Sequence, residues 1–312
     1  MILDLIVPHY KEQWKVGKPF FDMLACQRGI DFSTFRVLLV HDGQIIYPEK
    51  YFKDYPYKVV QYSIEHAGVS AARNYGLEQS DAEWVCFCDF DDTFTTIYAL
   101  RNILSCMGND VDYMWTKFYI ECCKNGDIFA KIKGENIVWV HGKFFRRQWL
   151  IDNELAFPVG IHYSEDSAFC ALVNELAKPN RRGEIKTEFP VYSWVYRSDS
   201  VSVDPKNIAK NLTGFIDRNE YVVSEFKRRS IPYINMIGRM FADAYWAFHQ
   251  KNRKFPEEEL RFIEMAKKHL PDLKKANANV MSKIMDAAKM TFAGIQMDAA
   301  EDFMNWIKKI EG

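Results

Sequence analysis

Four short apolar runs, alternating with helical periodicity, limit what this chain can fold into more than any other feature. The first, Leu3-Asp-Leu-Ile-Val7, stops at Pro8. The second, Phe35-Arg-Val-Leu-Leu-Val40, ends in His41-Asp42-Gly43. The third covers 57–62, and the fourth, Trp84-Val-Cys-Phe-Cys88, ends in Asp89-Phe90-Asp91-Asp92. Helical spacing fills 14–29 and 68–79 between them. Runs apolar throughout, separated by helices, predict a mostly parallel sheet covered on both faces, the arrangement of a Rossmann-like α/β fold. With 312 residues and 48% hydrophobic content, the chain can bury a core of that kind. In such sheets ligands bind beyond the carboxyl ends of the strands. Pro8-His9-Tyr10, Asp42-Gly43 and the acidic stretch each follow a run, so the polar residues gather at one sheet edge.

Three carboxylates in the four residues Asp89 to Asp92 repel one another, more so when partly buried. A divalent cation removes the difficulty. Aspartate oxygens with few other protein ligands suit Mg²⁺ or Mn²⁺, with phosphate oxygens completing the shell. The competing reading is a set of turn and N-cap residues, a role in which Asp is common and which Thr93 and Thr95 could equally fill.

The formal net charge of −1 gives no overall bias toward nucleic acid or acidic partners. No apolar run approaches the ~18 residues of a membrane-spanning helix. Met1-Ile-Leu-Asp-Leu5 reads as a first strand rather than a signal peptide. Seven cysteines, several inside apolar runs and without zinc-ligand spacing, predict reduced thiols and a cytoplasmic location, with peripheral membrane contact left open.

His66-Ala-Gly-Val-Ser-Ala-Ala-Arg73-Asn74-Tyr-Gly76, followed by the run that ends in Asp89-Phe90-Asp91-Asp92, resembles the family 2 nucleotide-sugar glycosyltransferases of GT-A fold. Their pattern is a Gly-Val-Ser-x-Ala-Arg-Asn-x-Gly helix and then a hydrophobic strand ending in Asp-x-Asp-Asp. Further pieces fall in the family's order along 1–204. Val7-Pro8-His9-Tyr10 resembles Val-Pro-x-Tyr-Asn, and Val40-His41-Asp42-Gly43 resembles Val-Asp-Asp-Gly-Ser. Gly142-Lys143 to Arg147 resembles Gly-Lys-Leu-Tyr-Arg-Arg, 157–169 resembles the segment that carries a Glu-Asp pair, and Tyr196-Arg197 with Ser200-Val-Ser202 resembles a late Tyr-Arg…Ser-Val-Ser element.

The resemblance implies a GT-A domain over 1–204 and a metal-dependent, inverting transfer of a sugar from a nucleotide diphosphate sugar, a UDP-sugar in the first place, to an acceptor hydroxyl. Asp91 is then the main ligand to Mn²⁺ or Mg²⁺, with Asp89 on the ribose or the metal and Asp92 in support. Asp42 accepts a hydrogen bond from the base, and Tyr10, beside Pro8, packs on it. Arg73 lies near the base or phosphates, against the plainer reading of a helix salt bridge. Lys143 and Arg197 meet the diphosphate.

Glu165-Asp166 opens a helical pattern through Phe169, Leu172, Val173 and Leu176. An acid at a helix start is favoured by the dipole alone. The resemblance adds that Asp166 is the general base that takes the acceptor's proton. Glu165 and His162 then stand beside the sugar or acceptor. Three positions depart from the pattern: His41 replaces an Asp, His66 an Asn, and Lys11 an Asn. His66 can still hydrogen-bond a base, with donors and acceptors unlike those of Asn.

Residues 205–312 read as a helical region. Over 205–275 fifteen Lys/Arg face nine Asp/Glu, interleaved with aromatic residues. This allows an acceptor-binding or oligomerisation role toward a glycan, an anionic membrane surface or another anionic polymer such as nucleic acid, or simply a solvated basic face. The stretch 297–310 is amphipathic through Phe303, Trp306, Ile307 and Ile310, and core docking is its commonest use. Two alternatives to an active transferase remain at this level. One is a nucleotide-sugar or glycan-binding protein without turnover. The other, a nucleotidyltransferase, lacks a Gly-rich basic loop after the first strand.

Overall fold

The computed structural model describes residues 1–43, 45–108, 111–133, 138–177, 190–198, 207–248, 255–274 and 305, 306, 308 and 310. The chain divides into two compact units, Met1–Val203 and Asp204–Gly312.

In the first unit the apolar runs form strands as their composition requires. They are β1 (Leu3–His9), β2 (Phe35–Asp42), β3 (Lys58–Ile64) and β4 (Trp84–Phe87). Helices α1 (Trp14–Ala25) and α2 (Val69–Gln79) lie between them in sequence. β1 pairs in parallel with both β2 and β4, and β2 with β3, so their carboxyl ends reach one edge together. β5 (Thr93–Phe94), α3 (Ala99–Leu104), β6 (Tyr113–Trp115), β7 (Phe118–Lys124), β8 (Asp127–Lys133) and β9 (Lys143–Arg146) follow. Next come α4 (Arg147–Asp152), α5 (Glu165–Ala177) and β10 (Tyr192–Trp194). The main sheet runs β3-β2-β1-β4-β9-β6, with β9 antiparallel to both neighbours. A second sheet runs β5-β10-β7-β8. The mixed α/β architecture with helices against a largely parallel sheet is the one the apolar runs predict.

Two glycines of the α2 motif have separate reasons. Gly68 precedes α2 at φ 93°, a backbone region that side chains disfavour. At Gly76 a Cβ would lie 2.4 Å from Ile6 Cγ2, so only glycine lets α2 approach β1 this closely. Leu3, Leu5, Val7, Val37 and Leu39 on one sheet face pack with Phe20, Phe21 and Leu24 of α1 in a continuous core. Each such side chain contributes roughly 1.5–3 kcal/mol by leaving water.

The second unit contains α6 (Ile208–Arg228), α7 (Ile234–Phe248) and α8 (Pro256–Lys274). Its core includes Ile216, Val223, Phe241, Phe262 and Leu270. Trp306 and Ile310, from the amphipathic stretch, join that core, with Trp306 stacked on Phe262. Phe303 and Ile307 lie outside the described residues, as do His249, Arg253, Lys254 and Lys275 of the basic, aromatic-rich stretch. The basic run at 227–229 is tied to acids of its own unit: Lys227 to Asp272, Arg228 and Arg229 to Glu225. No described helix is long and apolar enough to cross a membrane.

Candidate active site

At the carboxyl ends of β1 and β2, His9 and His41 sit opposite each other in register, and their Nδ1 atoms are 2.8 Å apart. His41 Nε2 lies 2.9 Å from Gln61 Oε1. Burial pushes the His41 imidazole down to about 4, so it is neutral. The histidine that replaces an acid in the family pattern is therefore an internal strut.

Asp42 is also used internally. Its buried carboxylate accepts hydrogen bonds from the backbone N–H of Ala67 (2.7 Å) and Gly68 (2.9 Å), and His66 Nδ1 lies 2.8 Å from it. It anchors the turn that starts α2. His66 itself is exposed and stacks on Tyr10, with ring centroids 4.3 Å apart. Tyr10, Asp42 and His66 thus form one cluster, and Pro8 is buried in β1 just ahead of it.

Beyond β4 the acids part company. Phe90 turns inward against His9, Tyr47 and Phe21 and fixes the loop to the core. Arg73, buried on α2, donates to Asp89 Oδ1 (2.8 Å) and to Glu165 Oε1 (2.9 Å). Next to it Asn74 exchanges two hydrogen bonds with the Phe157 backbone. The Arg-Asn pair therefore joins α2, the β4 end and the start of α5. Asp91 turns outward to Arg197 Nη1 at 2.9 Å. Asp92 is buried and accepts from Tyr192 Oη (2.8 Å) and from the Val195 N–H (2.9 Å). Tyr192 Oη in turn accepts from the Asp89 N–H.

The electrostatics follow from crowding. Burial alone would raise the Asp89 carboxyl, but Arg73 overrides it and holds it below the usual range. Burial and the Asp89 charge push Asp91 up to about 6. Burial and both neighbouring acids push Asp92 well above its ordinary value. Asp166, only partly open to solvent, is raised to about 7 by burial and then by Glu165, and its Oδ1 accepts the Ser167 N–H.

Among the described residues the candidate cation cluster contains two of the expected acids, Asp89 and Asp92, joined by His141. One ligand atom each from Asp89, Asp92 and His141 lie within 4.8 Å of one another. His141 is buried and stacks on Tyr192, and its Nδ1 has no hydrogen-bond partner among the described residues. Burial lowers it to about 4, which leaves the ring neutral with a lone pair to give. Two carboxylates and a neutral imidazole whose Nδ1 makes no hydrogen bond and lies 3.6 Å from Asp92 Oδ2 fit a divalent cation. The nitrogen favours Mn²⁺ over Mg²⁺. Sequence reasoning passed over His141. It stands directly before Gly142-Lys143, but nothing local ties it to acids fifty residues earlier in the chain.

Lys143 is buried in β9, with Nζ donating to the Trp139 carbonyl and 3.6 Å from Cys170 Sγ. His162 is exposed in the loop ahead of α5, and Ser200 and Ser202 lie outside the described residues.

The model of a family described as glycosyl transferase family 2 matches residues 4–162. The uncharacterized glycosyltransferase YibD of Escherichia coli (strain K12) is 20% identical over 299 residues, 87% of this chain and 80% of its own. S. aureus TarS 1-349, solved in complex with UDP, is similar at a TM-score of 0.52 and 18% identity, over 95% of this chain and 93% of that one. Its complex with UDP-GlcNAc gives 0.51 at 18% identity over the same shares. At such identity the likeness to TarS is one of fold.

Proposed function

The chain belongs to glycosyl transferase family 2 and has the GT-A fold, and from that premise we propose that it is a metal-dependent, inverting glycosyltransferase that uses a UDP-sugar. The observation that carries the reading is the Arg73 bridge. One guanidinium ties Asp89, at the end of β4, to Glu165, at the start of α5, and so brings the acid cluster beside Asp166.

Asp89, Asp92 and His141 would hold a divalent cation, Mn²⁺ or Mg²⁺, which when bound would neutralise the donor's diphosphate. Asp91 becomes available to the same site when Arg197 exchanges it for a phosphate oxygen. The Tyr10–His66 stack offers an aromatic surface for uracil. With Asp42 spent on its own loop, the exposed Nε2 of His66 is the acceptor for the base N–H. Asp166 takes the proton of the acceptor hydroxyl as that oxygen attacks the anomeric carbon. The bond from that carbon to the diphosphate breaks on the opposite face, which inverts the centre. A carboxyl raised to about 7 has the proton affinity a base needs near neutral pH.

The acceptor is a hydroxyl-bearing glycan or other polymer. The seven free cysteines, with no disulfide among them, support a reducing, cytoplasmic setting. The test is product analysis with Mn²⁺, a panel of UDP-sugars and candidate acceptors. UDP release that rises with acceptor supports transfer. Release of sugar 1-phosphate, or of pyrophosphate when UTP and a sugar phosphate are supplied instead, would replace it with nucleotidyl transfer, and a thermal shift without turnover would leave a binding protein.

A further inference from the structure

The second sheet ends in β8, and among the described residues no strand lies beyond it. All seven of its residues are exposed, with Ile128 at 59% and Ile132 at 58%. An unpaired edge strand is a template for another strand, and proteins ordinarily blunt such edges with charge, proline or bulges. β8 carries charge at Asp127, Lys131 and Lys133, but no proline and no bulge in its register with β7.

The hairpin fixes which backbone groups are free. Lys124 and Asp127 close a two-residue turn in which Asn125 and Gly126 have φ 55° and 90°, the type I′ geometry. The closing pair of such a turn is hydrogen-bonded, and pairs then alternate along the ladder. Asp127, Phe129, Lys131 and Lys133 therefore bond inward to β7. Ile128, Ala130 and Ile132 direct their N–H and C=O groups to the open edge.

We propose that a second copy of this chain occupies that edge, with β8 pairing antiparallel to β8 of the partner about a two-fold axis at Ala130. The sequence Asp-Ile-Phe-Ala-Lys-Ile-Lys is complementary to its own reverse in this register. Asp127 falls opposite the partner's Lys133 at each end. Phe129 falls opposite the partner's Lys131, a cation–π pairing that Lys131 already makes with Phe129 within the strand at 5.3 Å. Ile128 falls opposite the partner's Ile132, and alanine, the smallest residue of the strand, lies on the axis. The edge-directed groups of Ile128, Ala130 and Ile132 meet in register, which a shift by one residue would abolish. The joined sheet runs β5-β10-β7-β8 and then the same strands of the partner in reverse. It continues from the Tyr192 that holds Asp92 in one copy to the Tyr192 of the other.

The test is sedimentation of the full chain over roughly 1–200 µM, a range suited to a small interface. The expected result is a concentration-dependent species of twice the 36.6 kDa chain mass. Ala130→Pro removes an edge-directed N–H and no bond to β7, so it leaves the fold intact and abolishes the dimer. Asp127→Lys and Lys133→Asp each set like charges opposite each other and weaken association about tenfold, and the double reversal restores it. A chain that is monomeric throughout overturns the proposal. So does a dimer that survives Ala130→Pro, or single reversals that the double variant does not rescue.

Discussion

Asp42 at the end of β2 and the acids at the end of β4 occupy the same sheet edge and look alike in the sequence. Their surroundings are opposite. The Asp42 carboxylate receives two backbone N–H groups and lies against His66, and it holds the loop that launches α2. Asp91 and Asp92 are pushed above their ordinary values by burial and by the charge of Asp89, which Arg73 keeps ionised. An acid whose partners are all supplied by the fold builds structure. Acids crowded against one another, even with partners of their own, store an electrostatic cost that a cation can relieve.

The contrast is sharpest at Asp166. Asp166→Asn should lower turnover by about 10²–10⁴-fold, the share expected of a positioned base, with no loss of melting temperature. UDP release from the purified variant measures it, and a change of only a few-fold would reduce Asp166 to a helix-start acid. Asp42→Ala should do the reverse. It strands the Ala67 and Gly68 N–H groups and should cost about 2–4 kcal/mol in denaturant unfolding. If it unfolds at the wild-type midpoint, the distinction between the two strand ends fails.

The pH dependence has a definite sign. Folding raises Asp91 from 3.8 to about 6 and Asp166 from 3.8 to about 7. The folded state therefore binds more protons than the unfolded one between those values. The stability these groups contribute is fully present below about pH 4 and is lost as pH rises through 6 and then 7. Melting curves of the metal-free protein should show this contribution falling between about pH 4 and 7, and Asp166→Asn should flatten its upper part. Turnover should rise through about pH 7 as the base ionises, the opposite direction.

Smaller effects separate the ligands. His141→Ala should remove the rise in melting temperature that Mn²⁺ produces in the wild type. If that rise persists, the cation is held by other residues. His66→Asn should change KM for a UDP-sugar by a few-fold while kcat stays constant, in line with one exchanged hydrogen bond. An unchanged KM would return base recognition to other groups.

Much of the first unit was legible before any coordinates. The apolar runs became β1, β2 and β4 because a strand buried on both faces needs a mostly apolar sequence, while β3 lies at the sheet edge and is only half-buried. The α2 motif was legible because Gly68 and Gly76 answer to local backbone shape and close helix–sheet contact. The second sheet was not anticipated. β5 and β10 are too short to carry a period, and β8 is exposed on both faces, so its pattern lacks a buried side. Lys143 gave no sign that its ammonium would face the Trp139 carbonyl and Cys170.

By itself the sequence determined where strands stop and acids begin, because that depends on neighbours along the chain. Only the tertiary structure decided what each acid does. It brought Tyr192 and Val195 to Asp92 from a hundred residues away, turned Asp91 to Arg197, and set Nδ1 of His141 among the carboxylates. The physical reason is that desolvation and Coulomb energy depend on distance in space, which spacing along the chain does not specify.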